Sequence, residues 1–399
     1  MSFLASILLI VYAISVGSLA VHIRRTAALT KQGSDGFPDD APTLDRLPAI
    51  DVVVPVKDEE NNIGRCLRAI IAERYPNARI FVVNDRSTDG TANVVRAIQE
   101  EHPEIERIDI THLQEGYYGK PSALEKIASR LTGDILFFID SDMFVKPGCF
   151  KTVVRRMESE RLDWLAAHGE MELDHFWEKV LAPVFGAMAY SWYDPRKVSD
   201  PNWPDAMGSG FMVVRRESYM ALGGHGAVKN CYDEDSVLLR RAKAAGQRVV
   251  FTASARLFNV RMYGSLDRTI RGFHRTLIGG LKTTFRFLIT INALQFVSLM
   301  PFGLIILIPL LGGFGYSVPF AKYWLGFALL HILLATWLAA LVYRAAKVPL
   351  KYALLHPLGS AVAIWVCCRA AADLRRRAPI TWRGTSYASA EHAVAKPGQ

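Results

Sequence analysis

Apolar residues follow two regimes along this chain. Between Ile50 and about Val260 they form short β-forming runs that alternate with helical patterns. These are Asp51 to Val56, a helix to about Arg74, Ile80 to Val83, a helix to about Glu101, Ile108 to Leu113, a helix from about Ser122, and Ile135 to Ile139. Repeated βα units of this length predict an α/β fold: a doubly wound, mainly parallel sheet with right-handed crossovers. After residue 160 the alternation loosens into mixed elements, including Leu165 to Leu173 and Phe211 to Val214.

The second regime is long and uncharged. Phe3 to His22 is apolar over the length of a membrane span and is followed at once by Arg24 and Arg25. With no basic region ahead of it, it reads as an uncleaved signal anchor rather than a cleaved secretory peptide, and the positive-inside rule puts the chain after residue 23 in the cytosol. Leu288 to Gly312 and Tyr323 to Tyr343 are also long enough to span, and Tyr352 to Ala370 contains His356, Pro357, Gly359 and Ser360, which suits a re-entrant or kinked segment. If all four crossed, Arg375, Arg376 and Arg377 would end outside, so one C-terminal segment is expected not to cross. Gly264 to Phe287 interleaves Arg268, Arg271, Arg275, Lys282 and Arg286 with Leu266, Ile270, Phe273, Leu277 and Leu281. That pattern fits an amphipathic helix in the headgroup plane, or a core-facing helix with a solvated basic face. The aromatic-rich stretch His175 to Tyr193 is either a further interfacial element or ordinary core.

The organisation expected is therefore an anchor (1–23), a polar Gly/Pro linker (24–48), a cytosolic globular domain (49–262), interface helices (263–287), membrane segments (288–370) and a basic tail (371–399). Composition agrees: 51% hydrophobic residues and a mean hydropathy of +0.15 are high for a wholly soluble enzyme. The net charge of +9 is concentrated beside the apolar runs, which favours a bilayer with anionic headgroups over nucleic acid as the partner. The five cysteines have no zinc spacing and read as reduced structural thiols.

Three acidic stations carry the candidate chemistry: Asn84-Asp85-Arg86-Ser87, Asp140-Ser141-Asp142 and Asp233-Glu234-Asp235. The first two follow β-forming runs, which puts carboxylates at the C-terminal strand ends where open α/β sheets bind ligands. Asp140 and Asp142 reach the same side if the strand continues through them, and a carboxylate pair there suits a hard divalent cation. In the third station one acid is expected to act only as a helix N-cap. Thr88 or Asp89 suits the cap of the helix beginning near Thr91 better than Asp85 does.

Residues 50 to about 245 resemble the inverting family 2 glycosyltransferases, which have the glycosyltransferase A fold. The resemblance rests on Val54-Pro55-Val56-Lys57-Asp58-Glu59-Glu60, Asn84 to Thr91, Gly119-Lys120-Pro121-Ser122-Ala123-Leu124, Asp140-Ser141-Asp142 and Glu234-Asp235, in that order. It implies a nucleotide-sugar donor. Val56 and Glu59 would lie at the nucleotide, Asp85 would accept the base imino hydrogen, Lys120 would meet phosphates, and Asp140 would meet the sugar or ribose. Asp142, with Asp140, would hold Mn²⁺ or Mg²⁺, and Asp235 would be the base, with Asp233 and Glu234 as competitors. Gly208-Ser209-Gly210 would let a ligand approach the backbone. The Gln-x-x-Arg-Trp motif of processive polysaccharide synthases is absent; Arg261-Met262-Tyr263 and Arg271-Gly272-Phe273-His274-Arg275 stand in that region. The chain instead resembles membrane enzymes that glycosylate carotenoids, ceramide or hopanoids, as does Thr381-Trp382-Arg383-Gly384 with Tyr387. His274, Arg275 and Trp382 would then be candidates for phosphate or acceptor contact. The expected activity is transfer of one sugar, with inversion, from a UDP-type donor to a lipid hydroxyl at the inner membrane. The alternatives are a processive synthase and a catalytically silent nucleotide-sugar-binding protein.

Overall fold

The computed structural model describes residues 4–17, 46–231, 233–382 and 385–387. They divide into two compact units. One is built on a sheet (46–172, Tyr193–Met262 and a C-terminal hairpin), the other on helices (4–17, Leu173–Trp192 and Tyr263–Arg376).

In the sheet unit, β1 (Ile50–Val56), α2 (Ile63–Ala72), β2 (Ala78–Asp85), α3 (Thr91–Glu101), β3 (Ile105–Ile110), α4 (Gly119–Ile127), β4 (Ile135–Ile139), β5 (Met143–Val145) and α5 (Cys149–Ser159) follow in order, after an N-terminal helix α1 (Leu4–Gly17) that belongs to the other unit. Strands β6 (Trp164–His168) and β7 (Glu170–Met171) come next, then helix α6 (Phe176–Trp192) of the helical unit. The sheet unit resumes with α7 (Pro195–Val198), β8 (Phe211–Arg215), α8 (Arg216–Ala221), α9 (Glu234–Ala244), β9 (Val249–Ala253) and β10 (Phe258–Val260). The main sheet has seven strands in the order β3-β2-β1-β4-β8-β6-β9, and β5, β10 and β7 form a small second sheet. β8 alone runs against its neighbours β4 and β6. This is the mainly parallel sheet that the βα alternation predicts, in the glycosyltransferase A arrangement that the resemblance implies.

The central strand opens the ligand crevice. β1 pairs with β2 over its full length, from Ile50↔Ala78 to Val56↔Asn84, but with β4 only as far as Val53↔Phe138. Pro55, which has no N–H to give a ladder, lies past that point, so β1 and β4 part where the strand order reverses. The core is cohesive enough to bury an acid: Asp51 is fully buried because Arg79 grips it with two hydrogen bonds (2.8 and 2.6 Å) and the Thr132 and Gly133 amides donate to it.

Several local expectations change. β3 lies over Ile105–Ile110 rather than Ile108 to Leu113, because its register ends with β2 at Asp85↔Ile110. Leu165 to Leu173 is two strands separated at Gly169, where a Cβ would lie 2.5 Å from the Phe258 ring.

The helical unit contains α1, α6, α10 (Leu266–Leu281), α11 (Thr284–Leu294), a π-helical turn (Gln295–Leu299), α12 (Met300–Gly313), α13 (Ala321–Ala345) and α14 (His356–Arg376). Thr284–Gly313, Ala321–Ala345 and Leu350–Arg376 are long and apolar enough to cross a membrane. The expected single helix over Gly264 to Phe287 is broken at Lys282 (φ 60°), and the Thr283 hydroxyl caps the start of α11. The third apolar stretch is one continuous helix from His356, entered through a 3₁₀ segment, so its proline falls in the first turn, where no kink results. His175 to Tyr193 is mostly a packed helix: Val180, Leu181, Val184 and Phe185 are buried, while Phe176 and Tyr190 are exposed. Of the expected anchor and linker, residues 18–45 lie outside the described residues.

Candidate active site

The site is assembled from strand ends and two helix starts. The loops after β1 and β2 are knitted together: Asp58 accepts from the Thr88 amide (2.7 Å), Glu60 from the Gly90 amide (2.8 Å), and Asp89 from the Thr91 and Glu60 amides (2.9 and 3.2 Å). Gly90 holds the N-cap position of α3 with no side-chain capping bond, and Asp89, just before it, takes up the Thr91 amide, so Asp85 is not used at this helix start. Asp85 closes β2 and is held by two hydrogen bonds from Arg86 (2.7 and 2.9 Å), whose left-handed backbone (φ 56°) turns the guanidinium back on its neighbour. Sequence reasoning did not single out Arg86, although an Asp-Arg pair after a buried strand was its only signal. Val56 is the buried last residue of β1, and Glu59, just beyond it, accepts from the Asn62 side chain (2.7 Å).

Lys120 lies in the first turn of α4, and its ammonium joins acids from two other segments: Asp140 at 3.0 Å, Glu234 at 2.9 Å and Asp235 at 3.3 Å. Burial pulls the Lys120 ammonium down, but Asp140, Asp235 and Glu234 outweigh it and hold the group well above the usual lysine range. One ammonium cannot balance three carboxylates. Asp235 is accordingly raised well above the ordinary carboxylate range, by burial first and by the charges of Glu234 and Asp140, with Lys120 opposing. Asp233 occupies the N-cap position of α9 without a side-chain capping bond and pairs instead with Arg240 (3.3 Å), which also reaches Asp205.

Asp140 and Asp142 do not alternate on a strand. β4 ends at Ile139 and the chain turns, with the Met143 amide donating to the Asp140 carbonyl (3.0 Å). The buried Cys66 thiol is pushed up, by burial first and then by the charges of Asp142, Asp140 and Glu59. Gly208 and Gly210 are required by the acids themselves: a Cβ at Gly210 would lie 2.1 Å from Asp140 Oδ2, and one at Gly208 would lie 2.4 Å from the Asp235 Cβ. Two histidines in this unit, the half-buried His168 and the fully buried His225, are held down by desolvation at about 4 and about 3, respectively.

Among the described residues no three His, Cys, Asp or Glu side chains form a ready-made metal cage. The donor set still suits a hard cation of the magnesium type, which takes one or two carboxylates and completes its shell with phosphate and water. Gly210 leaves room for Asp140 where a side chain would fill it.

His274 and Arg275 are on α10 in the helical unit, where His274 is 2.9 Å from Asp373 of α14. Trp382 lies in the short strand β11 (Ile380–Trp382), paired with β12 (Thr385–Tyr387).

A crevice at the switch point of such a sheet is where an open α/β fold of the glycosyltransferase A type binds its ligand. Residues 51–223 match the family described as Glycosyl transferase family 2, and the chain carries a domain of that family. It is similar to the beta-monoglucosyldiacylglycerol synthase of Synechocystis sp., with 24% identity over 213 residues, 52% of this chain and 43% of that protein. It is also similar to the 4,4'-diaponeurosporenoate glycosyltransferase of Staphylococcus aureus, with 23% identity over 180 residues, 44% of this chain and 46% of that one. The matched region spans less than half the length of these curated relatives. Among solved structures, a mannosyltransferase of Pyrobaculum calidifontis in complex with GDP-Man and Mn²⁺ aligns with a TM-score of 0.48 at 19% identity, covering 91% of this chain and 97% of that one.

Proposed function

We propose that this protein is a membrane glycosyltransferase that moves a single sugar, with inversion, from a nucleotide-diphosphate donor, UDP-linked by preference, to a hydroxyl carried by a lipid. The observation that carries this reading is the convergence of Asp140, Glu234 and Asp235 on Lys120 beside the open end of β1.

Inversion calls for a base that takes the acceptor proton as the anomeric carbon is attacked from the face opposite the departing nucleotide. Asp235 has the environment for that role: its raised proton affinity makes it a better base than an ordinary carboxylate, and Lys120 fixes its direction. His168 and His225, both held down by desolvation, are too weakly basic to compete. Asp85, steadied by Arg86, would receive the base of the nucleotide, with Val56 and Glu59 along the same strand ends. Asp142, with Asp140, would hold Mn²⁺ or Mg²⁺, which when bound neutralises the diphosphate. Lys120, the ammonium among these acids, would meet the phosphates of the donor. The names of two relatives support a lipid acceptor and the three apolar helices support a membrane location, while the cytosolic sheet unit of this reading rests on Arg24 and Arg25 following the first apolar stretch.

The test is incubation of the purified full chain with a panel of labelled nucleotide sugars and a lipid extract, with Mn²⁺ or with a chelator. A discrete glycolipid of inverted configuration, lost on chelation and in Asp142→Ala, is expected. Long heterogeneous carbohydrate, or turnover unchanged in Asp142→Ala and Asp235→Asn, overturns the reading.

A further inference from the structure

The helical unit contains a groove of about 320 Å³ that the sugar chemistry does not use, lined by Trp177 of α6, Leu266 and Ile270 of α10, and Ala361, Val362 and Trp365 of α14. Every lining side chain is apolar. We propose that this groove binds one hydrocarbon chain of an anionic membrane phospholipid, whose phosphate is held by Arg369.

The groove is a product of tight packing rather than surface roughness. α14 approaches α6 so closely that a Cβ at Gly359 would lie 2.8 Å from the Val180 carbonyl oxygen. Phe185 of α6 and Phe273 of α10 stack at 3.9 Å, and the Tyr343 hydroxyl donates to the same Val180 carbonyl. α14 is also the most enclosed of the three long apolar helices: 44% of its most apolar window is buried, against 17% and 22% for the others. α6 cannot be a single crossing, because its neighbours in sequence, Glu172 and Tyr193, both belong to the sheet unit. A groove walled by tryptophans on such helices faces the depth of a bilayer where amphipathic rings settle.

Charge selects the lipid. Arg369 is one turn beyond Trp365 and lies over its ring at 5.7 Å. Among the described residues no carboxylate pairs with Arg369, since Asp373, the acid one turn further on, is taken by His274. The guanidinium is thus presented at the end of an apolar groove, as an acyl chain ending in a phosphodiester requires. A protein partner fits poorly: six lining residues are far fewer than the roughly 20–30 a side of a stable interface. The volume lies at the low end, about 300 Å³, of small-ligand sites.

The experiment uses the full chain in detergent with two photoactivatable lipids bearing a mid-chain diazirine, a phosphatidylglycerol and a phosphatidylcholine. Phosphatidylglycerol should label the peptides containing Trp177, Ile270 and Trp365 above those of α12 and α13. Ala361→Trp, which fills the groove, should cut that labelling about tenfold while thermal unfolding is retained. Arg369→Gln, on the exposed rim, should lower phosphatidylglycerol labelling about fivefold and leave phosphatidylcholine labelling unchanged. Labelling spread evenly over α12 and α13, or indifferent to Ala361→Trp in a folded protein, overturns the site. An equal loss of both lipids in Arg369→Gln overturns the anionic assignment.

Discussion

The two units obey opposite rules of burial. In the sheet unit the apolar runs are inside: every residue of β1 is buried, and even Asp51 is drawn in because its charge is fully engaged. In the helical unit many of the most apolar residues face outward, with Ile306 and Leu333 both 68% exposed, while polar His331, His356 and Ser360 are buried. A helix that is apolar on the outside and polar inside is stable only where hydrocarbon is the solvent. The hydrophobic effect therefore organises the first unit, and close packing through small residues such as Gly359 organises the second.

The strongest test of the contrast falls on the chemistry. Asp235→Asn should lower transfer about 10²–10⁴-fold with the donor still bound, measured by turnover and by nucleotide affinity. For packing, Phe137→Ala in the sheet core should cost about 3–5 kcal/mol in denaturant unfolding. Ile306→Ala on the outward helical face should cost less than about 0.5 kcal/mol in the same assay. Equal costs would end the comparison. Gly210→Ala must displace Asp140, and a shift of that kind should reduce turnover about 10²-fold with the fold intact by circular dichroism. Gly359→Leu should separate α14 from α6 at about 1–3 kcal/mol, lowering thermal stability without changing donor affinity.

The smallest effect is a displacement along the pH axis. Asp235 is raised above the ordinary carboxylate range and must be ionised to act, so activity falls as pH drops through that raised value. Lys120 opposes the rise; in Lys120→Gln the opposition is lost and the acid limb of kcat/KM should move to higher pH. A limb that stays in place, or moves down, would remove Asp235 from the role of base.

The legibility of the two units also differs. The βα alternation located β1, β2 and β4 because buried parallel strands are continuous apolar runs, and the long spans were visible by length alone. Where the pattern misled, a tertiary contact decided. The β3 boundary followed its pairing with β2, and the strand expected through Asp142 became a turn because Met143 begins the second sheet with β10. Asp85 was legible at the end of its strand, whereas its partner Arg86 became visible only with the left-handed backbone that folds it back.

By itself the sequence determined that acids placed directly after β-forming runs emerge at strand ends. The convergence of Lys120 with Asp235, 115 residues away, was decided only by the tertiary structure. Spacing along the chain sets which groups a strand end or helix start presents. The distance between two such ends depends on strand order and crossover, which no local pattern of residues encodes.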